Sequence, residues 1–133
     1  MNLLDELKAN NYAIIASNGY YSYETGIKPV INRLNESLNY FDGLIVADKI
    51  IGKASAMLLI LSGVKEVYCI VLSKAGQKIL EEYNITYHYD ELTDYIISRK
   101  GDDMCPMEKT VANINNLNEA YKALNDKLSS LKA

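Results

Sequence analysis

Hydrophobic and polar residues alternate along the chain with two different periods, and each period predicts one kind of element. Three leucines that share one face predict a helix over residues 2–9. Residues 12–17 and 20–23 predict two short strands, joined by Asn18-Gly19. That dipeptide is typical of a two-residue hairpin turn, because both turn positions need a positive φ. The chain is therefore predicted to open with a helix and a β-hairpin.

Helical and strand patterns follow one another beyond the hairpin. Pro29 suits the first turn of a helix, whose apolar stripe consists of Ile27, Val30, Ile31, Leu34 and Leu38. The later predicted elements are strands at 44–47, 66–72 and 85–89 and helices at 52–61, 75–83 and 91–97. This βαβαβ order predicts parallel strands with helices on both faces of the sheet.

A polar segment, residues 98–105, predicts a loop before the C-terminal part of the chain. Its charged residues Arg99, Lys100, Asp102 and Asp103 are groups that could close over a ligand. The alternative is a solvated surface turn. The loop is therefore a candidate edge of a site rather than a site in itself.

A final helix is predicted over about residues 113–132. Its apolar residues are spaced three and four apart: Ile114, Leu117, Tyr121, Leu124, Leu128 and Leu131. We favour docking of this short seam on the body of the domain, with pairing between two chains as the alternative. We also expect self-association through apolar helix faces, as a homodimer. The chain has no linker or repeat, so we predict one domain, 1–133, with its core at about 10–112.

Composition narrows the function classes. The chain has 133 residues, 49% of them hydrophobic, which suits one folded domain. Its net charge of −3 argues against a basic nucleic-acid surface, and its apolar runs are too short to cross a membrane. Two cysteines do not form a disulfide framework, and the acidic start is not a signal peptide. We therefore expect a cytoplasmic protein that binds neither nucleic acid nor membranes.

The segment Gly52-Lys53-Ala54-Ser55 lies where a predicted buried strand meets a predicted helix. It does not form a P-loop, because the position five residues before Gly52 is Ala47 and not glycine. A helix N-terminus nevertheless presents free N–H donors and a positive dipole end, and lysines lie nearby. The segment predicts an anion site or, equally, a close helix packing with solvated lysines.

Metal and thiol chemistry rest on few residues. The only histidine is His88, and its spacing to Cys69 and Cys105 does not match a zinc site, so we expect no metal and no cofactor. We interpret Cys69 as a small buried hydrophobe. Pro106 suits a first helical position, which would make Cys105 the N-cap and Glu108 a side chain that reaches back to it. A thiol there can be a nucleophile or a bystander.

The motifs Asp48-Lys49, Gly52-Lys53-Ala54, Gly63-Val64-Lys65, Glu82-Tyr83 and Cys105-Pro106-Met107-Glu108-Lys109 carry a resemblance over about residues 10–112. In these stretches the chain resembles an uncharacterised prokaryotic family with a cytidine deaminase-like fold. The resemblance implies a three-layer α/β/α sandwich with an opening β-hairpin, then parallel strands, and here an extra C-terminal helix.

The resemblance also implies where a site would lie. Deaminases of this superfamily place H-x-E or C-x-E at one helix start and P-C-x-x-C at the next. By order these become Gly52-Lys53-Ala54-Ser55 and Ser73-Lys74-Ala75-Gly76-Gln77, which lack the zinc ligands and the acid. Zinc-dependent deamination is therefore not expected.

We expect instead a pocket for a phosphorylated small molecule, a nucleotide or a nucleotide derivative. The expected contacts are Lys49, Gly52, Lys53, Ser55 and Ser73, with Lys109 in the segment that would close the pocket.

Two further interpretations stay open. One is a metal-independent enzyme with Cys105 as nucleophile and Asp48 or Glu108 in acid–base roles. The other is a structural protein that interacts through its terminal helix.

Overall fold

Five strands form one mixed sheet in the computed structural model, which describes residues 2–98, 101 and 103–132. The strands are β1 (Ile14–Ala16), β2 (Tyr21–Ser22), β3 (Ile45–Ile51), β4 (Glu66–Ser73) and β5 (Thr86–Thr93). Their order is β2-β1-β3-β4-β5. β1 is antiparallel to β2 and to β3, whereas β3, β4 and β5 are parallel. The predicted hairpin and parallel strands are both present.

Helices flank both faces of this sheet. They are α1 (Leu3–Asn10), α2 (Lys28–Glu36), α3 (Lys53–Leu61), α4 (Lys74–Glu82), α5 (Pro106–Val111) and α6 (Leu117–Lys132). Leu7 of α1 packs with Ile15 in a small cluster, while Ile14 belongs to the large core formed with the later helices. Neighbouring strand residues point to opposite faces. The arrangement is consistent with a three-layer α/β/α sandwich.

Helix α3 lies at the centre of the larger layer. It contacts α2, α4, α5 and α6 as well as β3, and Met57, Leu58 and Leu59 are fully buried. A helix that is apolar all round is a buried helix. The N-terminus of α3 is consequently held in place from several sides.

The C-terminal seam packs within the same chain. Ala120 and Leu124 of α6 are fully buried, and α6 contacts α3 and α5. This is the docking that the sequence analysis favours, although Leu131 at the end of the seam is exposed. The homodimer stays a prediction.

Four local predictions are wrong in detail. The hairpin loop has three residues, in which Gly19 has a positive φ of 95° and Asn18 does not. Leu38 lies beyond the end of α2 and is exposed. Residues 91–97 do not form the predicted helix, because β5 continues to Thr93 by pairing with β4. The segment after the loop forms two helices, α5 and α6, rather than one.

Strand β3 is also longer than the predicted 44–47. It runs to Ile51, where it pairs with Leu72 of β4. Asp48 and Lys49 therefore lie within a strand rather than in a turn before α3. This extension decides where both side chains of the predicted site lie.

Candidate functional site

The N-terminus of α3 binds an anion from the protein itself. Glu108 Oε1 accepts a hydrogen bond from Lys53 N, and Glu108 Oε2 accepts one from Ala54 N, each at 2.8 Å. The carboxylate of α5 thus occupies free N–H donors at the positive end of a helix, where negative charge is stabilised. The prediction that Glu108 reaches back to its own helix cap is wrong, because α3 offers two N–H donors instead of one.

Gly52 makes room for this carboxylate. Its φ of −107° is open to any residue, yet a Cβ built on it would lie 2.2 Å from Glu108 Oε1. A Cβ on Gly76 would lie 3.0 Å from the carbonyl carbon of Gly52. The starts of α3 and α4 therefore lie against each other.

Helix α4 is capped by a residue of its own. Ser73 Oγ accepts a hydrogen bond from Gly76 N at 3.0 Å, and Ser73 is fully buried. This is an ordinary serine N-cap. The two neighbouring helix starts are thus satisfied in different ways, one locally and one by a distant carboxylate.

A cavity of about 830 Å³ opens at the carboxyl end of β3. Its walls come from the end of β3, the segment before α2, the start of α5 and the end of α6. Its lining side chains are about half apolar and half polar or charged. Asp48, Ser55, Cys105 and Glu108 are the lining residues that bear on its chemistry. All three residues of the predicted thiol-enzyme alternative consequently line one space.

Asp48 is buried within this cavity wall. It is 7% exposed and pairs across the sheet with Ile14 and with Cys69. Its Oδ1 accepts a hydrogen bond from Ile50 N at 3.2 Å. Burial raises the pKa of the Asp48 carboxyl to about 8, against smaller lowering by backbone N–H groups. The group therefore mostly carries its proton at neutral pH.

The two cysteines have different surroundings. Burial, and then Asp48, raise the pKa of the Cys69 thiol to about 12, which makes it the inert buried residue that the sequence analysis expects. Cys105 is half-buried and precedes α5 as its N-cap residue, with its N–H donating to Ile96 O at 2.8 Å. Only Cys105 lines the cavity.

A smaller cavity of about 460 Å³ lies beside the first. Lys53 and Ser73 line it, whereas Lys49, Gly52, Ser55 and Lys109 line the larger one. The predicted ligand contacts are therefore divided between two spaces. Met104 and Glu108 line both.

The lysines of the predicted site already have partners. Lys49 Nζ donates to Asn11 Oδ1 at 2.7 Å, and Lys109 pairs with Asp103. Lys53 Nζ has longer contacts, 3.3 Å to Ala112 O and 3.4 Å to the side chain of Asn115. Lys53 is consequently the most weakly held of the three. Arg99, Lys100 and Asp102 lie outside the described residues.

In the described part of the chain, no group of three or more His, Cys, Asp or Glu side chains is placed so that it could bind a metal ion. His88 stacks on Tyr68 with ring centroids 4.3 Å apart, and its Nε2 lies 2.8 Å from Glu66 Oε2. In the same described residues, no helix is both long and apolar enough to span a membrane.

Comparison with known proteins places the chain in a family. A family profile described as TM1506, a domain of unknown function (DUF1893), matches residues 2–128. The chain belongs to the DUF1893 family. This confirms the predicted membership of a family without an assigned function. No curated protein matches the chain.

A solved structure shares this DUF1893 fold. It is the crystal structure of a DUF1893 family protein (TM1506) from Thermotoga maritima, which is 28% identical and superposes with a TM-score of 0.85. The match covers 93% of this chain and 86% of that one. The shared fold therefore extends over nearly the whole DUF1893 domain.

The pairing of Glu108 with the start of α3 is the part of the site that sequence reasoning misses. The signal was present in two places. Glu108 follows Met107 in a short helix whose apolar residues are buried, and Gly52 stands where a strand meets a helix without any need for a positive φ. A buried acid and an unexplained glycine together indicate a close contact, but not which two segments make it.

Proposed function

We propose that this DUF1893 domain binds a small molecule at the carboxyl end of its parallel strands, and that the ligand is phosphorylated, a nucleotide or a nucleotide derivative. The observation that carries the proposal is the pair of adjoining cavities, of about 830 and 460 Å³. Ligands of open α/β sheets bind outside the carboxyl ends of the strands.

The larger cavity suits the body of such a ligand. Ile27, Met107 and Leu128 contribute apolar walls, and a flat ring gains free energy from the apolar surface that it buries. The carboxyl of Asp48 and the hydroxyl of Ser55 supply the few polar contacts that orient a ligand.

In the smaller cavity, Lys53, Lys78 and Ser73 are the residues that would bind a phosphate. The acids Glu82, Asp94 and Glu108 also line this cavity, and Asp94 pairs with Lys74. The N–H groups of Lys53 and Ala54 already bind Glu108, so the phosphate would be held by the lysine side chains rather than by the start of α3. Lys53 Nζ would exchange its long contacts for a charge-assisted hydrogen bond.

The proposal includes a cytidine deaminase-like fold, supported by the strand order β2-β1-β3-β4-β5 with one antiparallel strand. In that frame the two catalytic helix starts correspond to the starts of α3 and α4. Gly52, Lys53 and Ala54 at one start, and Ser73 and Gly76 at the other, lack the donor atoms that hold zinc. The residues therefore favour binding over hydrolytic deamination.

Calorimetry with matched variants tests the proposal. Wild type, Lys53→Ala and Lys53→Arg would be titrated with the four ribonucleoside monophosphates, their nucleosides and inorganic phosphate. The exposed Lys65 lines neither cavity, so Lys65→Ala is the matched control. We expect Lys53→Ala to weaken a nucleotide by about ten- to a hundredfold, since charged hydrogen bonds contribute about 1.5–3 kcal/mol. Affinity that is equal in all variants, or no binding by wild type, would refute it.

The second candidate is a metal-independent enzyme with Cys105 as nucleophile. It is favoured by the shared lining of Cys105, Asp48 and Glu108 in one cavity. Alkylation by iodoacetamide at about pH 6 separates the two functions, because a catalytic thiolate reacts faster than free cysteine. Cys69, whose thiol is buried, is the internal control. A slow reaction at Cys105 would leave binding as the function.

A further inference from the structure

Among the described residues, the larger cavity contains one carboxyl group that has neither an ion-pair partner nor a helix N-terminus to stabilise its charge. Four acids line it: Glu24, Asp48, Asp103 and Glu108. Glu24 lies 3.5 Å from Lys28, and Asp103 pairs with Lys109. Glu108 binds two helix N–H groups. Asp48 accepts only from backbone N–H groups of its own strand.

The neighbours of Asp48 do not supply the missing charge. Across the sheet lie the apolar Ile14 on β1 and the thiol of Cys69 on β4. On its own strand, Lys49 is bonded to Asn11.

The remaining charged groups face the cavity from the segment before α2 and from the start of α5. They are Glu24, Lys28, Asp103, Glu108 and Lys109. The lysines among them are engaged in the pairs described above. Among the described residues, no charged side chain contributes to the shift in the pKa of Asp48, which comes from burial and is opposed by backbone N–H groups.

The charged form of such a carboxyl group is unfavourable in the protein alone, and it would be stabilised by a ligand that carries a positive charge. Buried charges are normally paired, because an unpaired one loses its hydration without compensation. A cation that enters the cavity would pair with the carboxylate in a water-poor space, where the attraction is stronger than in solvent.

We propose that Asp48 is the recognition residue of the larger cavity and that it binds a protonated nitrogen, an amine or an amidine, on the body of the ligand. The inference rests on the proposed function, since it names the chemistry of the same ligand. The ligand would then carry a cationic nitrogen near Asp48 and an anionic group near Lys53.

The proposal includes a proton balance. At neutral pH the Asp48 carboxyl group is mostly protonated, because burial raises its pKa to about 8. When the cation binds, this proton leaves to solvent and the carboxylate pairs with the N⁺–H donors. Binding should therefore tighten as pH rises towards about 8 and become constant above it.

Two probes of nearly the same shape test this. Benzamidine is cationic and benzamide is neutral, so their difference isolates the charge. Asp48→Asn keeps the shape of the side chain and removes its charge, and Glu24→Gln is the control at an acid that already has a partner. Calorimetry in two buffers of different ionisation enthalpy counts the released proton, and thermal unfolding shows that each variant folds.

We expect benzamidine to bind wild type about ten- to a hundredfold more tightly than benzamide near pH 8. Asp48→Asn should abolish that preference, whereas Glu24→Gln should keep it. Wild type should release about 0.4 to 0.8 of a proton at pH 7, because a ten- to hundredfold preference corresponds to a fall of about one to two units in the pKa of Asp48. Equal binding of the probes, no binding of benzamidine, or a preference that survives in Asp48→Asn would overturn the inference.

The test separates this inference from the proposed function. Nucleotide binding that depends on Lys53 but not on Asp48 would remove the inference and leave the proposed function standing. Benzamidine binding that depends on Asp48, without any nucleotide binding, would do the opposite. Arg99→Ala and Lys100→Ala are expected to leave the benzamidine preference unchanged. A stronger preference in either variant would show that the chain supplies its own counter-charge, and would also overturn the inference.

Discussion

Asp48 near the end of β3 and Glu108 of α5 are two buried carboxyl groups that line the same cavity, yet the fold stabilises only one of them. At α3, Glu108 receives two backbone N–H donors, and Gly52 leaves room for it. Burial raises the pKa of Glu108, but those N–H groups and Lys53 oppose the shift. At β3, Asp48 has only local backbone donors. The contrast supports a structural role for Glu108 and is the basis of the proposed ligand role of Asp48.

The largest expected effect comes from closing the space that Glu108 occupies. Gly52→Ala should lower the free energy of unfolding by about 3–5 kcal/mol, because the new Cβ would displace the carboxylate and cost both hydrogen bonds. Urea unfolding monitored by circular dichroism measures the change.

The double variant Gly52→Ala, Glu108→Ala shows whether the conflict is with Glu108. The two losses should be far from additive, since the second substitution removes the clashing atoms. Additive losses would mean that Gly52 is needed for another reason.

Glu108→Gln should destabilise the protein by about 1.5–3 kcal/mol. The amide keeps the shape, but its NH₂ group would face a backbone N–H that now has an acceptor. Glu91→Gln on the exposed edge strand is the control and should change stability by less than about 0.5 kcal/mol. A loss no greater than that of the control would contradict the structural role of Glu108.

Asp48→Asn should raise the stability of the protein, whereas Glu108→Gln should lower it. The folded pKa of about 8 lies above the ordinary 3.8, so the folded protein holds a proton that the unfolded chain has lost. The stability that this bound proton contributes to the folded state is complete below about pH 4 and is lost as pH rises through about 8. The variant should be more stable than wild type by at least about 2 kcal/mol near pH 8 and nearly equal to it near pH 4. Denaturation at both pH values decides; a variant less stable near pH 8 would refute the unpaired carboxyl.

The smallest effect is expected at the neighbouring helix start. Ser73→Ala should lower stability by about 1 kcal/mol, the usual value of a serine N-cap. Ser129→Ala on the exposed side of α6 is the matched control. A loss as large as that of Gly52→Ala would erase the distinction between a local cap and a distant one.

Much of the fold follows from hydrophobic periodicity. The amphipathic α2 and the apolar α3 and β4 are predicted within a few residues, because packing against a core repeats along the chain. The predicted helix at 91–97 fails since Glu91 and Leu92 pair with β4, a contact about twenty residues away that local pattern does not contain.

The candidate site divides in the same way. Both helix starts, with Gly52 and Ser73, are local signals and were found. The carboxylate of Glu108 at the start of α3 depends on a contact across 55 residues of sequence. The isolation of Asp48 depends on which side chains surround it in space. The spacing of residues in the sequence predicts neither of these two features.

The most direct test of the account is the titration of Asp48 itself. The ¹³Cγ chemical shift of Asp48 would be followed from about pH 3 to pH 10, assigned by its loss in Asp48→Asn, without ligand and with saturating benzamidine. The account predicts a midpoint near 8 in the free protein, lowered by at least about one unit with benzamidine, which corresponds to tenfold tighter binding to the carboxylate. A midpoint near the ordinary 3.8, or one that benzamidine does not move, would contradict it.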